Sequence, residues 1–232
     1  MKLDLKCLPC FLTQALKTMN VASETMTRVE KKNVLNAVMD ILKEKSTLGD
    51  LPAITGRKVY MLLGKMLNDD DVYADIKRES NESAKLLLPR LRKLTKESDK
   101  PLKTAASIAI LGNLIDLGAH LEYDLEEELD NLRLAIDHFP WLIEELDHTD
   151  QLLYLGDNAG EIFFDRIFIE ALQDAYDFTI TFAVRGGPII NDATMEDARE
   201  AGLSNLCRVI ESTRSPGVIL SEANDEFLEA YQ

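Results

Sequence analysis

The clearest chemical potential in this chain of 232 residues lies in Gly156-Asp157-Asn158-Ala159-Gly160-Glu161 and, further along, in Arg185-Gly186-Gly187-Pro188-Ile189-Ile190-Asn191-Asp192. Each segment follows an apolar run that reads as a strand, so two strands would end in oxygen ligands. Carboxylates joined by an amide carbonyl suit a hard divalent cation, whereas zinc sites draw on His and Cys, and nothing here resembles HExxH. In open parallel sheets, ligands bind beyond the carboxyl ends of the strands, where helix N-termini point inward. If the two strands are neighbours, Asp157, Asn158 and Asp192 can share one cation. Gly156 and Gly160 permit a tight turn, and free amides near Gly160 and Glu161 would favour an anion. Phosphate chemistry is therefore the leading reading. The plain alternative is a polar strand-to-helix turn capped by Asp157 or Asn158.

Arg185 would stand at the end of the second strand, where a guanidinium can stabilise phosphoryl charge. Its structural alternative is an ion pair with Glu161 or Asp165. Asn191 reads equally as a cap or turn residue. Upstream, the apolar helical segment from Ala105 to Asp116 confines its strongly polar side chains to its end, at Asn113 and Asp116, three apart on one face. A buried pair of this kind either bonds to itself and the backbone or faces the site.

Other residues carry weaker signals. Cys7-Leu8-Pro9-Cys10 has redox and zinc-knuckle spacing, but the chain has only three cysteines, and with Cys207 they fall short of a four-ligand site. Chance or packing is the preferred reading of that pair. His120, His138 and His148 show no ligand spacing and read as surface or capping residues. The basic run from Lys85 to Lys103 and the acidic run from Asp124 to Asp130 read as solvated helix faces.

The elements that must position these residues fall into two patterns. From about Leu8 to Leu146 the apolar residues recur at helical spacing, as in Val34, Val38, Ile41 and Leu42. Helices are predicted over 8–20, 23–45, 54–67, 70–97, 101–120 and 125–145, with Pro89 a candidate break or kink in the fourth. Pro52, Asn68-Asp69-Asp70-Asp71 and Asp99-Lys100-Pro101 punctuate them. After Thr149 the pattern changes. Leu152–Leu155 reads as a strand, the Gly156 to Gly160 turn opens a helix through Leu172, and Phe178–Val184 reads as a second strand, which makes a βαβ unit. Asp192-Ala193-Thr194 starts a helix to Glu200, Gly202 suits its C-terminal cap, and Leu206–Ile210 is a third strand. A last helix spans about 221–231. The fold class is thus an α/β C-terminal part, a Rossmann-like parallel sheet with three strands present, preceded by an all-α helical part. Domains are expected at 1–148 and 149–232.

The formal net charge of −15 disfavours nonspecific nucleic acid or anionic membrane as partners. No apolar run approaches the roughly 20 residues that span a bilayer, and the start lacks a signal peptide's h-region, so a soluble cytoplasmic protein is the default expectation. Oligomeric state is not legible.

Taken together, GDNAGE after one strand, RGGPIINDAT after the next, GNLID in the helical part and an N-terminal CLPC resemble the damage-control phosphatase family, also called acidic-residue methyltransferase-like and formerly domain-of-unknown-function family eighty-nine. The CxxC is similar to that of its prokaryotic subgroup. The resemblance covers nearly the whole chain. It implies a phosphatase dependent on a divalent metal (Mg, Mn, Co or Ni) that acts on small phosphorylated metabolites, among them damaged or surplus sugar phosphates. By motif, the metal ligands fall on Asp157, Asn158 and Asp192. Beside the resemblance, the residue reading sets Arg185 on the phosphoryl group and makes Glu161, Asn113 and Asp116 candidates for positioning water or orienting ligands. Either the Asp157 carboxylate or an activated water is the nucleophile. Family proteins continue into a KGQGNFE-like segment with a phosphate-directed lysine, and this sequence stops before it, which reads as a chain lacking its C-terminal segment or a shortened member. The alternatives are an S-adenosylmethionine-dependent carboxyl methyltransferase, whose usual GxGxG loop GDNAGE fits poorly, and a non-catalytic binding module.

Overall fold

The computed structural model describes residues 2–44, 48–114 and 125–232. By contacts, these form two compact units. One comprises Met1–Asp75, Arg185–Asp192 and Ser212–Asn224, and the other Ile76–Val184, Ala193–Glu211 and Asp225–Gln232. The change from helical to strand-bearing sequence at about residue 149 falls where the sheet begins, but the contact division runs elsewhere.

The first unit is built on three helices, α1 (Cys7–Ala22), α2 (Arg28–Leu42) and α3 (Pro52–Leu67). Ala15, Met19, Val34, Val38, Val59 and Leu63 bury their side chains between them, which is the 3.6-residue stripe read in the sequence. α2 begins later than expected because Thr27 and Glu30 form a reciprocal capping box that fixes the helix start. Pro52 is the first residue of α3, where its missing amide costs nothing. Asn68 ends that helix in the left-handed conformation at φ 53°.

In the second unit, α4 (Ala74–Glu97) runs unbroken through Pro89 and buries Asn81, Ala84, Leu88 and Leu91. α5 (Pro101–Leu114) follows, and the rest of the predicted 101–120 helix lies outside the described residues. The single helix expected over 125–145 is instead two, α6 (Leu125–Asn131) and α7 (Phe139–Leu146). Pro140 is confined to the first turn of α7, and the Asp137 carboxylate accepts the Phe139 amide at 3.0 Å, which competes with a continuous helix.

The sheet has order β1-β2-β3 and is parallel throughout. Its strands are β1 (Gln151–Leu155), β2 (Thr179–Val184) and β3 (Arg208–Glu211), with α8 (Glu161–Ala175) crossing from β1 to β2 and α9 (Met195–Glu200) leading toward β3. Leu155 stands opposite Ala183, so β1 and β2 are neighbours as expected. The predicted C-terminal helix is shorter, a 3-10 turn at Leu220–Glu222 and then α10 (Asp225–Tyr231). α5 and α8 approach so closely that a Cβ on Gly112 would lie 2.8 Å from the Phe164 Cβ. Ile162, Phe163, Phe164, Ile167 and Phe182 are fully buried and form the centre of this core. Among the described residues no helix is long and apolar enough to cross a membrane.

Candidate functional site

The turn after β1 is shaped by its glycines. The Gly156 amide donates to the Ala183 carbonyl at 2.9 Å, extending the ladder one residue past the strand. A side chain there would meet the Phe182 ring at 2.5 Å, so the close approach requires glycine. Gly160 turns the chain into α8 at φ 79°, a conformation that other residues adopt at a cost. Between the glycines, the Asp157 carbonyl accepts the amide of Ala193, the residue after Asp192, at 2.7 Å.

Side chains converge here on the Glu161 carboxylate. One of its oxygens accepts Asn158 Nδ2 at 2.9 Å, the Asn158 amide at 3.4 Å and Asn113 Nδ2 at 3.1 Å. Asn158 Nδ2 also lies 3.4 Å from Asp157 Oδ2. Asp157, Asn158, Glu161 and Asn113 are therefore brought together. Asn113 reaches the turn from an exposed position at the end of α5, not from the buried face expected of it. Asp116 lies outside the described residues.

The second loop holds Arg185 and Asp192, both buried, with Arg185 Nε donating to Asp192 Oδ2 at 2.5 Å. The structural alternative for Arg185 was an ion pair with Glu161 or Asp165; a carboxylate that it does pair with is Asp192 of its own loop. Ile190 has φ 49°, an outlying conformation for a β-branched residue. The loop is braced by Arg214 Nε, which donates to the Pro188 carbonyl at 2.9 Å. Burial raises the pKa of the Tyr60 hydroxyl well above its ordinary value, and the negative charge of Asp192 adds to the effect.

Asn81 is the residue that sequence reasoning missed. It is buried on α4, accepts the Gly160 amide at 2.7 Å, and donates to Asp197 at 2.9 Å and Glu200 at 3.1 Å. The amide near Gly160 read as open to an anion is thus already bonded. The signal was available, because Asn81 stands three, seven and ten residues before Ala84, Leu88 and Leu91 on the apolar stripe, and a buried amide must find partners. Lys77, one turn earlier and also buried, lies 3.9 Å from Asp197. Asp165 is another buried group outside the expected set. Tyr154 donates to it at 2.6 Å, and burial, reinforced by the charges of Glu161 and Asp157, pushes its pKa up to about 8.

The donor set fits an oxygen-preferring cation in its chemistry. Asp157 and Asp192 are carboxylates, and the Asn158 nitrogen is engaged by Glu161, which leaves the amide oxygen as that residue's ligand atom. Among the described residues no three His, Cys, Asp or Glu side chains form a metal-holding group; this set has two carboxylates and an amide. Cys7, Cys10 and Cys207 are free thiols, and burial pushes Cys207 up to about 11, away from reactivity. His138 stacks on Trp141 with ring centroids 4.2 Å apart, at the head of α7.

Comparison with known proteins gives one result. Residues 3–232 match the damage-control phosphatase ARMT1-like domain. A curated damage-control phosphatase of Pyrococcus horikoshii is 34% identical over 236 residues, which span 100% of this chain and 80% of that protein. One from Archaeoglobus fulgidus is 29% identical over 240 residues, again across 100% of this chain and 82% of the relative. The crystal structure of a DUF89 family protein from Pyrococcus horikoshii superposes with a TM-score of 0.88 at 33% identity, covering 100% of this chain and 81% of that one. The sequence match across both strand-end loops and the shared fold place this chain in the damage-control phosphatase ARMT1-like family.

Proposed function

We propose that this protein is a phosphatase of small phosphorylated metabolites that depends on a divalent cation held by Asp157, Asn158 and Asp192. Membership of a phosphatase family supports the reaction class. The observation that supports the site is the turn itself, where Glu161 engages Asn158 Nδ2 next to the Asp157 carboxylate, and the three proposed donors suit Mg²⁺, Mn²⁺, Co²⁺ or Ni²⁺. When bound, such a cation neutralises charge on the phosphoryl oxygens.

The protein's own groups do the rest. Glu161 holds the Asn158 amide in one orientation and so presents its oxygen. Arg185, kept in place by Asp192, supplies a guanidinium to the phosphoryl group. Asn113 steadies Glu161, the nearest carboxylate to the turn that can orient a water. The attacking group is the Asp157 carboxylate or that water. Sugar phosphates and related damaged metabolites are the substrates implied by the resemblance.

The test is phosphate release by the purified protein with each of the four cations against a broad panel of phosphate esters. Asp157→Ala should reduce turnover by about a hundredfold or more while leaving the thermal transition cooperative. Turnover that persists without divalent cation, or that survives this substitution, would overturn the assignment.

A further inference from the structure

We infer that the small pocket lined by α1, α3 and the loop that carries Asp192 receives a hydroxyl-bearing end of the substrate, and that Tyr60 is the residue that selects for it. The inference rests on the phosphatase reading, in which Asp192 helps to hold the cation.

The pocket belongs wholly to the first unit. It encloses about 70 Å³, room for about five water-sized groups, which suits a diol end and not a whole hexose ring. Thr18 of α1, Tyr60 of α3 and Tyr73 line it together with Ile189 and Ile190 of the loop. Ile190 stands two residues before Asp192, and its φ of 49° is the kind of strained backbone that gathers where a loop is held for binding. Arg214 ties this loop to the segment after α3, since its side chain donates to the carbonyls of Pro188 at 2.9 Å and Asp70 at 3.2 Å. The negative charge of Asp192 is felt at the Tyr60 hydroxyl, so a substrate whose phosphate is held at Asp192 has the pocket within reach.

Two observations select the occupant. The first is the set of hydroxyls. Thr18 and Tyr73 bond to each other at 3.0 Å, and whichever of them accepts keeps its own proton to donate. The Tyr60 hydroxyl makes no hydrogen bond to any of the described residues, although it lines the pocket. An apolar group seated there would take these hydroxyls out of water without replacement, whereas a diol supplies partners for them. The second is charge. Asp69, Asp70 and Asp71 line the pocket, no lysine does among the described residues, and Arg214 is engaged by backbone carbonyls. The phosphate itself is therefore disfavoured inside, and a neutral hydroxylated group is admitted.

The experiment compares kcat/KM for glycerol phosphate, propyl phosphate and ethanolamine phosphate, using the full chain with the activating cation, in the wild type and Tyr60→Phe. The wild type should prefer glycerol phosphate to propyl phosphate by about tenfold or more, because a site built to bond a hydroxyl rejects the analogue that lacks it. Tyr60→Phe should shrink that ratio by about fivefold, through a higher KM for glycerol phosphate with kcat kept. An unchanged ratio in a variant whose thermal transition matches the wild type would overturn the inference, as would a wild-type preference for the propyl or the ethanolamine ester over glycerol phosphate. If no ester is hydrolysed with any of the four cations, the phosphatase reading fails by itself, and the pocket is then judged by saturation-transfer NMR with glycerol. A signal that weakens severalfold in Tyr60→Phe supports the pocket, and equal signals or none overturn it.

Discussion

Asn81 offers the most demanding test of how the turn after β1 is held. Its side chain accepts from Gly160 at 2.7 Å and donates to Asp197 and Glu200 at 2.9 and 3.1 Å. Asn81→Ala strands the buried Gly160 amide at a cost of about 1–3 kcal/mol, and loss of a donor to a carboxylate adds about 1.5–3 kcal/mol. Thr194 still donates to the same Asp197 carboxylate, so the lower part of the second range applies and the total is about 3 kcal/mol. For a chain of this size the melting temperature should fall by about 6–12 °C. Asn81→Asp should cost more, because it sets a third carboxylate against Asp197 and Glu200. Removing the exposed Arg90–Glu126 pair should cost at most about 1 kcal/mol. Urea denaturation gives these differences directly. Mn²⁺ affinity, measured by calorimetry, should weaken by about tenfold in Asn81→Ala as the turn loses its anchor. A stability loss below about 1 kcal/mol would refute the reasoning, and an unchanged affinity would mean that Gly160 keeps its place without Asn81.

Other perturbations follow from single features. Burial raises the Asp165 pKa from 3.8 to about 8, so its contribution to stability is full below the ordinary aspartate range and is lost as pH rises through about 8. Asp165→Asn should therefore gain on the wild type across that interval, seen as a urea midpoint that falls less with pH; parallel curves would contradict it. Gly112→Ala should cost about 1–3 kcal/mol by overpacking against Phe164, whose Cβ is 2.8 Å from the added carbon, as read from chemical denaturation. Ile190→Gly releases a left-handed conformation worth about 1–2 kcal/mol, so it should cost less than Ile189→Gly at the buried neighbouring position. Equal losses in the two variants would show that the φ of Ile190 carries no strain.

Much of the fold was legible because its signals are local. The stripe in α2, the βαβ alternation after Thr149 and the parallel pairing of β1 with β2 all follow from apolar period and turn residues. The break before α7 was missed because Asp137 and Pro140 act on a helix start that periodicity alone reads through. At the candidate site, Asp157, Asn158 and Glu161 are neighbours in sequence and were found together, and Asn113 was found as a polar exception on an apolar helix. Asn81 is 79 residues from Gly160, and that distance hid it. Nothing local to α4 names the amide it serves. The pairing of Arg185 with Asp192 was hidden for a different reason: the loop folds back on itself, so that Asp192, seven residues on, reaches the guanidinium.

The Asp197 carboxylate closes the capping box of α9 through one oxygen, accepting the Thr194 amide at 2.8 Å, and anchors Asn81 through the other. Asn81 in turn holds the Gly160 amide. The start of one helix and the turn before another therefore open together or not at all. In amide hydrogen exchange, Gly160 and Thr194 should belong to one cooperative unit, with a common opening free energy and a common response to denaturant. Two segments far apart in sequence then share one clock.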